Sequence, residues 1–172
     1  MLMKHAVLLA LFLLIPVLTL GGSKRAKIIS SPDKTMIARI ITVDVRGDGN
    51  TESSIELRRA NGSLIGIKNF TSKDHEHGFS IIKGEWTYDS KFFVFSTISS
   101  GGHQAGHFPT FFYSRIDNKI HMLDHFVGIW VTNPEFFIQA PDLLSVTVSD
   151  RLPNGELSYT ISKTVHLGKL RE

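Results

Sequence analysis

The most chemically suggestive stretch of the chain is Ser99-Ser-Gly-Gly-His103-Gln-Ala-Gly-His107. Glycines at 101, 102 and 106 free the backbone, so two imidazoles four residues apart can turn toward one ion. Neutral histidine is a common ligand of zinc, copper and nickel, which makes His103 and His107 candidates for a divalent transition metal. A complete site needs further ligands. The sequence offers His75, Glu76 and His77, or Asp124 and His125. On the plainer reading the loop is a tight connection, both histidines bond backbone groups, and the chain carries no cofactor.

Other polar clusters are weaker. His121 and His125 share the same spacing, but Ile120 to Leu123 reads as a strand, where such positions lie about 13 Å apart. They can meet at one ion only if the chain turns at Asp124. Asp74-His75-Glu76-His77 reads as a solvated loop. Asp44, Asp48, Asn50 and Glu52 surround two glycines, as calcium loops do, yet Arg46 and Ile55 stand where an EF-hand needs ligands. The chain has no Gly-x-Ser-x-Gly elbow, phosphate-binding loop, dinucleotide fingerprint or His-Glu-x-x-His. A hydrolase site at the Gly-rich loop rests only on the presence of serine, histidine and aspartate. No catalytic residue is assigned.

The elements that must position these groups read as strands. Apolar residues alternate or cluster in short runs between turn signals, and past residue 23 no helical window stands out. Met36 to Val45 is β-branched. Ile55 and Leu57 alternate with Glu56 and Arg58, and Asn61-Gly62 then leads to Leu64 to Ile67, a strong hairpin signal. Phe92 to Ile98 is apolar. Phe111 to Ile116 and Ile120 to Leu123 flank a turn at 117–119, and Leu143 to Val148 and Leu157 to Val165 flank Pro153-Asn154-Gly155. The expected class is all-β, with antiparallel hairpins. Thirteen of the 17 aromatic residues fall between 86 and 137, which places the core there, with some of Phe92, Phe108, Tyr113 and Trp130 left as a binding platform on the alternative view.

Three short segments repeat. Ser31-Pro-Asp-Lys-Thr-Met-Ile-Ala-Arg, Thr87-Tyr-Asp-Ser-Lys-Phe-Phe-Val-Phe and Ala140-Pro-Asp-Leu-Leu-Ser-Val-Thr-Val align on Asp33, Asp89 and Asp142, 56 and 53 residues apart. Trp86-Thr-Tyr-Asp89-Ser-Lys-Phe-Phe-Val-Phe95 resembles the Trp-Ser-Pro-Asp-Gly-Lys-x-x-x-Phe turn of TolB-type β-propeller blades, and Ser31-Pro32-Asp33 matches its core. The resemblance implies blade-like sheets over residues 30 to 165, with the Asp turn joining two strands of each blade. About three such units do not close a ring of four or more blades. An open propeller-like array, a self-associating piece or a β-sandwich is therefore expected. Residues 86 to 110 also resemble uncharacterised exported bacterial proteins, which implies no activity.

The start of the chain reads as a signal peptide over 1–23. Lys4 and His5 precede an uncharged run of 15 residues, Ala6 to Leu20, and Gly21-Gly22-Ser23 offers cleavage after Gly22 or Ser23. An uncleaved segment is the alternative and the one expected route to a membrane. Residues 24–172 then form a single all-β domain. The chain has no cysteine, which excludes thiol chemistry and, in an exported domain, favours a bacterial envelope: periplasm or secretion. Net charge is +3, yet residues 28 to 160 carry 12 basic against 15 acidic groups. The excess sits in Lys24, Arg25, Lys27, Lys163, Lys169 and Arg171, expected on mobile ends, so no nucleic-acid stripe forms. The function these features imply is a non-catalytic binding module whose partner is an envelope protein or a surface polymer; metal binding at His103 and His107 is the alternative.

Overall fold

A computed structural model describes residues 23–44, 47–102, 106–151 and 157–170. Residues 1–22 of the 1–23 signal segment, Arg46, His103, the 153–155 turn and Arg171 lie outside the described residues. Among the described residues eleven strands make three antiparallel sheets. Sheet A is β1 (Ser23–Ser30), β2 (Met36–Asp44), β3 (Glu52–Arg59) and β4 (Leu64–Asn69), paired in that order. Sheet B repeats the pattern with β5 (Phe79–Trp86), β6 (Phe92–Ser99), β7 (Thr110–Ser114) and β8 (Lys119–Met122). Sheet C has β9 (Trp130–Gln139), β10 (Leu143–Arg151) and β11 (Leu157–His166). The all-β expectation is met. One short helix, α1 (Asp124–Val127), leads from sheet B to sheet C.

Each repeated Asp turn joins the first and second strands of its sheet. In the first, Ser31 Oγ donates to Asp33 Oδ1 at 2.6 Å, and Asp33 Oδ1 accepts the Thr35 N–H at 3.1 Å. In the second, Thr87 Oγ1 donates to Asp89 Oδ1 at 2.7 Å, and Asp89 Oδ1 accepts the Lys91 N–H at 3.1 Å. Lys34 and Ser90 both take positive φ, 60° and 62°, in the place where the resembled motif carries glycine. Ala140 lacks the hydroxyl of the third turn. Asp142 instead accepts the His166 ring N–H at 3.0 Å and the Gly168 N–H at 2.8 Å, fixing the end of β11.

The turns also bond to one another. Asp33 N–H donates to Ser90 Oγ at 3.0 Å, and Asp89 N–H donates to the Pro141 carbonyl at 3.4 Å. Arg115 reaches across sheets to Asp33 at 2.8 Å. Strand alternation explains the packing. Met36, Ala38 and Ile40 face Ile81, Phe93, Phe95 and Tyr113, making the A–B core. Phe92, Val94 and Phe112 face Phe136, Leu144, Val146 and Val148, making the B–C core. Sheet B thus contributes to both cores, and its strand β6 is buried from Phe92 to Thr97. The remaining face of β10 carries Ser145 and Thr147, and Ser145 shares a 2.9 Å hydrogen bond with Thr164 on β11.

Two expectations change. Lys24, Arg25 and Lys27 are not on a mobile end: their backbone pairs with β2 as an edge strand, where exposed basic side chains discourage further pairing. Lys163 likewise sits on β11 and donates to the Val127 carbonyl at 2.6 Å. Phe92 and Tyr113 are buried, so they form no platform; among the described residues Tyr88, Phe137 and Tyr159 are the prominently exposed aromatics.

Candidate functional site

Meander topology sorts the connections by length. The tight turns at 31–35, 60–63, 87–91, 115–118 and 140–142 lie at one end of the sheets. The longer connections after β2, β4, β6 and β8 lie at the other. Three of the four polar stretches singled out in the sequence fall on such connections, where loops on rigid strands commonly carry function, whereas His121 of the fourth stands on β8 and bonds back to the 115–118 turn.

One carboxylate organises that end. Glu52 is 1% exposed and accepts hydrogen bonds from Ser72 N–H at 2.7 Å, Ser72 Oγ at 2.8 Å, Gly78 N–H at 2.7 Å and Ser100 Oγ at 2.9 Å. Burial pushes its pKa up, but these donors outweigh burial and hold it below the usual carboxylate range. Thr51 and Ser80 hydroxyls bond beside it. Gly78 has no room for a side chain, since a Cβ would meet the Phe70 carbonyl and the Glu52 carboxylate. Glu52 therefore fastens the charged loop and the Gly-rich loop to β3. It is no calcium ligand set: its oxygens face N–H and O–H donors.

His107 stands at the far side of the Gly-rich loop. It is buried, its Nε2 lies 3.3 Å from Asp124 Oδ1, and its ring stacks on Trp130 with centroids 4.6 Å apart. Asp124 Oδ1 also accepts the Val131 N–H at 3.0 Å, while Asp124 Oδ2 is buried with no hydrogen-bond partner among the described residues. His107 also lines a cavity of about 210 Å³ with Phe70, Phe79, Pro109, Phe111 and Met122. Lys68 Nζ sits 5.0 Å from the Phe111 ring centroid at this site. The arrangement is a small aromatic pocket with one imidazole in its wall and one ammonium over a ring.

The other histidines are placed apart. His77 Nδ1 pairs with Asp74 at 2.6 Å on the exposed loop. His75 Nδ1 lies 3.4 Å from Glu52. The chain does turn at Asp124, into α1, but His121 Nε2 bonds Asp117 at 2.8 Å and His125 is exposed, so the two do not converge. Among the described residues no group of three or more His, Asp or Glu could hold a metal ion; His103 lies outside them. In sequence Glu52 groups with Asp44, Asp48 and Asn50, whereas the structure sets it against Ser72, Gly78 and Ser100; Phe70 and Phe79 carry no motif that marks them. The signal available was weak: a lone acid at a strand start, and two phenylalanines flanking the charged loop. Comparison with protein-family models, curated proteins and solved structures finds no match.

Proposed function

We propose that the chain is an exported envelope protein, and that its three sheets form an open, propeller-like stack acting as a non-catalytic binding module. The carrying observation is the aromatic pocket of Phe70, Phe79, Phe111 and Met122 at the end where the long loops gather. An apolar pocket of that size suits one apolar side chain of a partner envelope protein better than a hydroxylated surface polymer. The propeller-like reading, as against a β-sandwich, is supported by the face each sheet turns to the next. Met36 and Ala38 of sheet A, and the matching Phe92 and Val94 of sheet B, all point toward the following sheet. In this proposal residues 1–23 direct export.

The absence of cysteine gives a direct test. A photo-crosslinker is attached through Lys73→Cys at the loop end or Asn61→Cys at the turn end, and the protein is irradiated with envelope extract. A discrete adduct from the loop end alone is expected. Identical adducts from both ends, or none from the loop end, overturn the reading. A reporter active only outside the cytoplasm, fused after residue 30, tests export.

The second reading keeps a divalent transition metal at His103 and His107. The orphaned Oδ2 of Asp124 beside His107 favours it, because a carboxylate behind an imidazole is the usual support of a metal-bound histidine. Zinc, copper and nickel titrations of wild type and His103→Ala/His107→Ala decide it, and equal affinities remove it.

A further inference from the structure

A second cavity lies toward the tight-turn end of the sheets. It measures about 350 Å³ and opens beside the 115–118 turn, over the face of β7 and β8 that points toward sheet C. Its cause is topological. In sheet A the fourth strand brings Ile65 against the A–B core, whereas sheet C has three strands among the described residues, so the outer part of sheet B stays uncovered on that side. The walls are Phe92, Phe112, Phe126, Leu167 and Leu170, all part of or packed on the B–C core. A cavity with walls of that kind takes a compact hydrocarbon body.

Its polar side is built from Ser114, Asp117, Lys119 and His121. Burial raises the Asp117 pKa, but Ser114, His121 and the Lys119 N–H donate to it and hold it below the ordinary value, so it is a carboxylate. A carboxylate only accepts, so His121 Nε2 carries the proton in their 2.8 Å bond. The His121 ring is fixed further by stacking on Phe112 at 5.1 Å and by the edge of Phe126 at 5.8 Å. The negative charge of Asp117 is thus already met by donors of this chain. The Lys119 ammonium is not matched: among the described residues it has no acceptor. We propose that this cavity is a binding site for a small apolar carboxylate, aromatic or branched, with its body against Phe112 and Phe126 and its acid group on Lys119.

The acid has two sources, a free metabolite-sized acid or the C-terminus of a peptide, and both present the same carboxylate. The test is calorimetric titration of the full mature chain with phenylacetate, phenylacetamide, 2-phenylethylamine and N-acetyl-glycyl-phenylalanine. Phenylacetate is expected to bind at least about tenfold tighter than its amide, the size of one charge-assisted hydrogen bond, and the amine weakest. Lys119→Met, an exposed change that leaves the walls intact, abolishes the preference for acid over amide. Leu170→Trp, which fills the mouth, abolishes binding of all four. The stronger of phenylacetate and the peptide identifies the source. Equal affinity for acid and amide, a preference that survives Lys119→Met, or no binding by any probe at millimolar concentration overturns the proposal. Because the cavity and the loop-end pocket lie at opposite ends of the sheets, the loop-end crosslinking result is independent of this one.

Discussion

Glu52 is a buried acid surrounded by donors from two loops, and its charge is what those donors select. Glu52→Gln replaces one acceptor with an amide NH₂ facing N–H and O–H groups. We expect a loss of about 2 kcal/mol, read by urea unfolding at neutral pH. Its folded pKa lies below the ordinary value, so its contribution is complete above about 4.5, the ordinary value, and fades as pH falls through the folded pKa. The gap between wild type and Glu52→Gln should therefore narrow on acidification, and a gap that widens contradicts the assignment. Gly78→Ala should cost at least as much, since its Cβ meets both the Phe70 carbonyl and the Glu52 carboxylate. At this scale little was legible in sequence. The partners of Glu52 stand 20, 26 and 48 residues away, at Ser72, Gly78 and Ser100. The clusters that sequence does display, His121 with His125 or Asp74 with His77, are neighbours along the chain that strand geometry separates or solvent engages.

The Asp turns show how an element is specified twice with different residues. Lys34 and Ser90 both occupy the left-handed region, which costs a non-glycine residue about 1–2 kcal/mol. Lys34→Gly should raise stability by up to about 1 kcal/mol after the extra entropy of the unfolded glycine. Ser90→Gly should give no such gain, because Ser90 Oγ also accepts the Asp33 N–H from the neighbouring sheet. Paired thermal or urea denaturation distinguishes them, and equal gains would show that the inter-sheet bond contributes nothing. Turns and hairpins were legible for this reason: Ser-Pro-Asp, Thr-Tyr-Asp and Asn-Gly carry their own conformational demands. The strands missed in sequence are β1, β5 and β9, the first strand of each sheet. Each stands at a sheet edge, where Lys24 and Lys27, Gly84, or Pro134 are tolerated and the apolar alternation is diluted.

Across the whole molecule, neighbouring residues of β6 serve different cores. Phe93 belongs to the A–B core and Phe92 to the B–C core, and both are almost fully buried. Each change to alanine should cost about 3–5 kcal/mol. Their hydrogen-exchange patterns should differ: Phe93→Ala loosens sheets A and B, while Phe92→Ala loosens sheets B and C. Matching patterns would mean that the sheets do not open separately. Three antiparallel sheets could be anticipated from the repeat spacing, but not how they pack or which face each turns inward. The Ser145 and Thr147 face of sheet C also bears on size. It is polar where the corresponding positions of sheets A and B, Met36 with Ala38 and Phe92 with Val94, are apolar, and end units of stacked repeats carry such polar outer surfaces.

Sheet B as the shared middle layer has a consequence for the nascent chain. Every sheet is continuous in sequence, so sheet A is complete once Asn69 has emerged from the ribosome or a translocation pore. Its apolar face nonetheless stays bare until Phe93, Phe95 and Tyr113 follow. During that interval the polypeptide presents a finished but uncovered sheet, the kind of surface a holding chaperone captures. Arrival of β6 and β7 ends the exposure and in the same step creates the surface on which sheet C will condense, so maturation advances as a relay from one end of the polypeptide to the other.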